Sequence, residues 1–319
     1  MSQTGVMNTR TCDKYYNIDF VFDTNHQVNH SNIRFGIEEN NTFIVIPDLL
    51  TKTECANIIA NTTNYYSDLS SEYLQTDRQA ERILNMNKNM AEIIYGRIKD
   101  IVEDECNQIK LKPYGFGTDG TWVPIGLNDC FRHSKYAAPS IGFNFHRDSA
   151  YIANANERSV LSLVIYCNDD YKGGSTLFVK PKSDRIIGQI VSEELSNGYD
   201  NLYEYPIQAS IGDESDEYPP VSSVPNRVAH LDRVCGSAIL FNHNIIHAGL
   251  PVISGTKYII RSDVLFKNIT PSNDLSWMTN EYFLQAIEYY REAKHCEMKG
   301  DVKLASQLYE RGLALRQFH

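Results

Sequence analysis

SVLSLVIYCNDDYKGGSTLF, residues 159–178, decides the class of fold. Its first half, Val160–Tyr166, is rich in β-branched and aromatic residues and stops at a polar, Gly-containing stretch, the pattern of a buried strand. A second strand restarts at Ser175–Val179, and two more are expected downstream at Ser237–Phe241 and Lys257–Phe266. From about residue 110 the intervening chain is punctuated by Gly, Pro and Asn. No βαβ rhythm runs through it, so an all-β sandwich or barrel is favoured over a parallel sheet.

Upstream the texture differs. Residues 1–40 lack sustained periodicity and read as an irregular arm. Thr42–Ile46 is a β-branched run closed by Pro47, and Thr51-Lys52-Thr53-Glu54 fits a capping box ahead of Cys55, Ile58 and Ile59. A second helix is expected over 88–109, where Met90, Ile94, Ile98, Ile101 and Val102 recur at helical spacing. Residues 181–233 form a long polar insertion with an acidic patch at 213–217. Beyond Asn273, Phe283, Ala286, Ile287, Tyr290 and Ala293 make one helical stripe, and Leu304, Ala305, Leu308, Tyr309 and Leu315 another after Gly300. The segment 275–319 thus resembles a single tetratricopeptide-like helical hairpin, which cannot bury its own face alone and is expected to pack on the main domain.

The chain has 319 residues, 42 % hydrophobic and 22 % charged, enough for one large domain and an appendage. Its formal net charge of −10 argues against nucleic acid as a partner, since such binding relies on Lys and Arg neutralising phosphates. No apolar run has the length of a membrane span, and the polar N-terminus has no apolar stretch like a secretory signal. Seven cysteines without a C-x-x-C suit reduced thiols, so a cytoplasmic location is expected.

The chemistry centres on Ile141-Gly142-Phe143-Asn144-Phe145-His146-Arg147-Asp148-Ser149. Residues two apart on a strand share a face, so the His146 imidazole and the Asp148 carboxylate can converge on one ion. Two His and one carboxylate on one side of a metal leave positions open, which suits Fe(II) oxygenases. His-x-Asp alone is weak, because His230-Leu231-Asp232 repeats it in what reads as a loop. The context of His146 separates the two: the strand 159–166, Gly173-Gly174-Ser175-Thr176, then Gly236–Phe241, His247-Ala248-Gly249-Leu250-Pro251 and Gly255-Thr256-Lys257-Tyr258. His243 reads as a structural neighbour, Arg147 as a solvated charge at a strand end, and Arg132 as a salt-bridge residue outside the site.

Taken together these motifs resemble the 2-oxoglutarate- and Fe(II)-dependent dioxygenases, specifically the prolyl 4-hydroxylase-like branch, over about residues 40–268 and most specifically over 131–266. The resemblance implies an α+β, mainly β fold, a double-stranded β-helix (jelly roll) braced by N-terminal helices. It implies a dioxygenase domain at 41–270 with its core at 131–268. It also implies His146, Asp148 and His247 as metal ligands and catalytic residues, and Lys257, ten residues past His247, as the anchor of the 2-oxoglutarate carboxylate. Arg261, on the same strand face, is the rival anchor, and Tyr136 is a further co-substrate contact. The expected cofactors are Fe(II) and 2-oxoglutarate, with ascorbate a family expectation that no residue here supports. The expected partner is a protein or peptide, proline being the first candidate side chain. A small-molecule or nucleic-acid oxygenase, and a catalytically silent jelly roll that only binds, are the competing readings. Gly-Gly-Ser-Thr at 173–176 departs from the family's more usual Gly-Gly-Glu-Thr. Substrate identity and oligomeric state are left open.

Overall fold

A computed structural model describes residues 15–38, 41–68, 78–179, 202–204, 234–271, 273–274, 276–298 and 302–315. The acidic patch, His230-Leu231-Asp232, Gly300 and all of the 181–233 insertion except 202–204 lie outside the described residues. The fold is mainly β. Its largest element is a mixed sheet that includes β1 (Asn41–Ile46), β2 (Glu81–Met86), β3 (Trp122–Leu127) and β4 (Cys130–Ala137). A second sheet contains β5 (Phe143–His146), and the large sheet continues with β6 (Glu157–Tyr166). The second sheet then takes β7 (Thr176–Val179), the large one β8 (Ala238–Asn242), the second β9 (Ile246–Gly249) and the large one β10 (Thr256–Asn268). Along the large sheet the order is β2-β4-β10-β6-β8-β1, with β3 paired to the far end of β10, and the segment read as an irregular arm adds Tyr15–Tyr16 beyond β2 and Arg34–Glu38 beyond β1. The second sheet has the order β7-β9-β5, with Leu202–Glu204 beyond β7. A chain that switches between two sheets in this way is consistent with a jelly roll.

Alternation along the strands of the large sheet builds two apolar layers, because successive side chains point to opposite faces. On one face Leu161, Leu163 and Ile165 of β6 join Ile44 and Ile46 of β1 and Leu240 of β8. That face packs against α1 (Lys52–Thr62) through Cys55 and Ile58, and against α2 (Lys88–Ile109) through Met90, Ile94, Ile98 and Val102. On the other face Val164 and Tyr166 of β6, Ile239 and Phe241 of β8 and Phe43 and Val45 of β1 enclose Phe178 of β7. The site lies between the sheets on this second face.

The capping box is present at α1: Thr51 Oγ1 accepts from the Glu54 N–H, and the Glu54 carboxylate accepts from the Thr51 N–H. Glu54 does more than cap. Arg97 of α2 grips it with both terminal nitrogens, at 2.6 and 3.0 Å, and the Asp23 N–H donates to it at 2.7 Å. The buried pair therefore ties the arm, α1 and α2 together.

Beyond β10, α3 (Glu281–Met298) and α4 (Val302–Ala314) pack on each other through Ala286, Ala293, Ala305 and Leu308. Phe283 of α3 lies edge-on to Phe116 and Trp277, with ring centres 5.2 and 4.9 Å apart. Strands β2, β3 and β4 are among those not foreseen from sequence. The reason is visible in β4, which alternates Phe131 and His133 on one face with Arg132, Ser134 and Tyr136 on the other, so neither face reads as apolar. The cysteines are also less scattered than their spacing suggests. The Cys235 thiol donates to the Cys167 carbonyl at 3.0 Å.

Candidate metal centre

His146 ends β5 and His247 lies in β9; they are cross-strand partners, and their rings are 4.2 Å apart between centres. Asp148 follows two residues after His146, where the chain leaves the strand. A ligand atom from each of His146, Asp148 and His247 lies within 4.8 Å of the other two. His146 Nε2 is 3.6 Å from Asp148 Oδ1, and His247 Nε2 is 3.7 Å from Asp148 Oδ2, so one carboxylate edge lies between the two imidazoles. Among the described residues this is the one cluster with that geometry.

The local chemistry prepares these groups to accept a cation. His247 Nδ1 is 3.1 Å from the Ile245 carbonyl, which can only accept. Nδ1 therefore carries the proton, and the Nε2 lone pair faces Asp148. Burial, with the neighbouring His146, pushes His247 down to about 3, so it is neutral at pH 7, as a ligand must be. Burial alone would raise the Asp148 carboxyl, but Arg261 and the two imidazoles outweigh it and hold Asp148 well below the usual carboxylate range. Two neutral-capable imidazole nitrogens and a carboxylate oxygen on one side of a small space fit a divalent first-row metal. The walls are aromatic: Phe143 stacks on His146 at 3.7 Å, and Phe241 and Phe178 flank His247.

Lys257, Ile259 and Arg261 alternate onto the inner face of β10. Lys257 is buried; its ammonium donates to the Gly174 carbonyl and lies 5.7 and 5.4 Å from the ring centres of Tyr136 and Tyr166. Gly174, at φ +70°, brings its backbone close to the Lys257 side chain, and a Cβ there would sit 3.1 Å from Lys257 Cδ. Arg261 reaches two carboxylates instead, Asp148 at 3.0 Å and Asp263 at 3.4 Å. Tyr136 is buried opposite Lys257 in the β4–β10 register.

Sequence reasoning missed part of this neighbourhood. Tyr166 pairs its hydroxyl with Thr176 Oγ1 at 2.6 Å and forms the second aromatic wall of Lys257. Ser162 donates to Asp148 Oδ2 at 2.5 Å. The available signal was a serine at an inward position of an otherwise apolar strand. Arg147 is a correction: it is buried rather than solvated, and its Nε donates to the Asn244 carbonyl at 2.7 Å. Arg132 lies 3.5 Å from Asp263, which itself contacts Arg261, so it borders the site.

The chain resembles the 2-oxoglutarate/Fe(II)-dependent oxygenases, and the convergence of the His-x-Asp pair with a distal His is what that resemblance requires. No family model matches the chain, and no curated protein sequence does. Solved structures similar to it include a viral collagen prolyl hydroxylase from Paramecium bursaria Chlorella virus 1 in complex with 2-oxoglutarate, at 14 % identity and a TM-score of 0.34 over 70 % of this chain and 96 % of that one. Another is a prolyl-4-hydroxylase from Pseudomonas putida, at 11 % identity and 0.37 over 70 % and 91 %. A third is a prolyl hydroxylase from Trichoplax adhaerens in complex with a hypoxia inducible factor peptide fragment, at 12 % identity and 0.39 over 70 % and 82 %. TM-scores this low decide neither substrate nor reaction. No helix among the described residues is long and apolar enough to cross a membrane.

Proposed function

We propose that this chain is a non-haem Fe(II)- and 2-oxoglutarate-dependent dioxygenase that hydroxylates a side chain of a protein or peptide, with proline the first candidate. The observation that carries the reading is the convergence of His146, Asp148 and His247. In this reading residues 41–270 form the oxygenase domain, a double-stranded β-helix with α1 and α2 as its support, and 275–319 a helical hairpin attached to it. The prolyl assignment rests on the motif resemblance over 131–266. Ascorbate has no part in it.

His146, Asp148 and His247 would hold the metal, leaving the side away from the three ligands for other groups. With 2-oxoglutarate bound, the ferrous ion supplies oxygen activation: O₂ and 2-oxoglutarate are consumed, succinate and CO₂ leave, and one oxygen atom enters a substrate C–H bond. Lys257 would pair with the distal carboxylate of 2-oxoglutarate, since a buried anion needs a cation and Lys257 sits in a mostly apolar enclosure. Arg261 is the weaker anchor, because Asp148 and Asp263 already share its guanidinium. Tyr136 and Tyr166 would orient Lys257 by presenting ring faces to its ammonium. Phe143, Phe178 and Phe241 exclude water from the ligands.

Succinate release by the full chain given Fe(II), 2-oxoglutarate and O₂, alone and with a proline-containing peptide library, tests the reading. Metal-dependent release that disappears in His247→Ala supports an oxygenase, and stimulation by peptides supports the substrate class. No release, together with no binding of metal or 2-oxoglutarate, would leave only a binding role for the fold.

A further inference from the structure

Behind Asp148 runs a chain of buried polar groups that the ligand set does not explain. Ser162 Oγ lies 2.5 Å from Asp148 Oδ2, and His243 Nδ1 lies 3.0 Å from the same serine oxygen. On its other side, His243 Nε2 lies 2.9 Å from Ser159 Oγ, which accepts from the Tyr151 N–H at 2.8 Å. Ser159, Ser162 and His243 are all buried. Strict alternation along β6 would place residues 159 and 162 on opposite faces. A register shift between Ser159 and Leu161 in the β6–β10 ladder, a β-bulge, lets both serines reach the same imidazole.

Valence fixes the direction of the inner half. An ionised carboxylate only accepts, so Ser162 spends its single proton on Asp148. Its oxygen then has to accept from His243, so Nδ1 carries a hydrogen whatever the state of Nε2. Asp148 also has a second claimant, since Arg261 lies 3.0 Å from Oδ1. A carboxylate released by Ser162 is free to turn toward this guanidinium and form the two-pronged pair that Arg favours. Such a turn would take the ligand edge away from His146 and His247.

We propose that Ser162 and His243 are positioning residues of the metal centre, His243 holding the Ser162 hydroxyl and Ser162 holding Asp148 Oδ2 against the pull of Arg261. This rests on the reading of His146, Asp148 and His247 as metal ligands. Outer partners of this type set ligand orientation, and their loss typically lowers metal affinity.

The test is Mn(II) binding by calorimetry and the visible spectrum of the Co(II)-loaded full chain, with metal-free thermal unfolding as a check on the fold. Asp148→Ala should abolish binding. Ser162→Ala should weaken Mn(II) binding by roughly 10- to 100-fold and alter the Co(II) spectrum. His243→Leu should weaken it as well, and His243→Asn, whose amide can present an N–H to Ser162, should recover part of the loss. Wild-type affinity and an unchanged spectrum in a folded Ser162→Ala would overturn the proposal. So would equal losses in His243→Leu and His243→Asn, which would reduce His243 to packing. If His243→Leu does not fold, Ser162→Ala decides alone. If wild type and Asp148→Ala bind Mn(II) alike, the ligand assignment itself fails and takes this proposal with it.

Discussion

Replacing Lys257 by methionine removes one charge from an enclosure in which Tyr136, Tyr166 and Val252 are all buried, while keeping most of the side-chain volume. If 2-oxoglutarate binds with a carboxylate on this ammonium, the variant leaves that anion desolvated and unpaired. A hydrogen bond to a charged group is worth about 1.5–3 kcal/mol, and leaving one partner of a buried ion pair uncompensated costs about 3–5 kcal/mol. A loss near the overlap, about 3 kcal/mol, corresponds to a dissociation constant raised by roughly two orders of magnitude. Metal affinity should stay unchanged, because Asp148 is held by Arg261, four residues along the strand from Lys257. Calorimetric titration of 2-oxoglutarate into Mn(II)-loaded protein under nitrogen reads the first effect, and titration of Mn(II) alone reads the second. An affinity within threefold of wild type would refute the assignment of Lys257 and turn attention to Arg261.

Glu54→Gln should cost about 3–5 kcal/mol in denaturant unfolding, because it leaves Arg97 buried without its counter-charge. Burial raises the Glu54 carboxyl, but hydrogen bonds from Arg97, Thr51 and Asp23 outweigh it and set its pKa below the ordinary value. Its contribution is therefore full above the ordinary carboxylate pKa and is lost as pH falls through the depressed folded value; a stability–pH curve identical in Glu54→Gln would contradict this. His133 is buried beside Phe20, with no hydrogen-bond partner on either ring nitrogen among the described residues, and burial pushes it down to about 3. The unfolded chain binds that proton near pH 6.5, so His133 makes stability fall as pH drops from there toward 3. His133→Phe should flatten that limb and be neutral or stabilising by about 1 kcal/mol, as read by urea unfolding at several pH values. Gly142 has φ +80°, and a Cβ there would sit 2.0 Å from the Gly249 carbonyl. Gly142→Ala should cost at least about 1–3 kcal/mol and weaken Mn(II) binding by displacing β5 from β9; an unchanged melting temperature would show that the strands can yield without cost.

The elements legible in the sequence are those whose signal is local. Apolar runs at 42–46, 160–166 and 238–241 announced strands, because a strand buried on both faces writes its burial into consecutive residues. The Thr51–Glu54 box is equally local, since both of its bonds span three residues. His146 and Asp148 were legible as a pair because two residues along a strand restore the face. Of the distal groups that meet them, His247 was legible only through the motif resemblance, and the others only in the tertiary structure. It laid β9 beside β5 so that His247 opposes His146, although 101 residues separate them in sequence. It sent Arg261 to Asp148, buried Arg147 rather than leaving it solvated, and through one β-bulge turned Ser159 and Ser162 toward a single imidazole. Polar residues inside a closed fold leave no periodic trace, because their burial is offset by partners far away in sequence, and those partners are fixed only once the two sheets face each other.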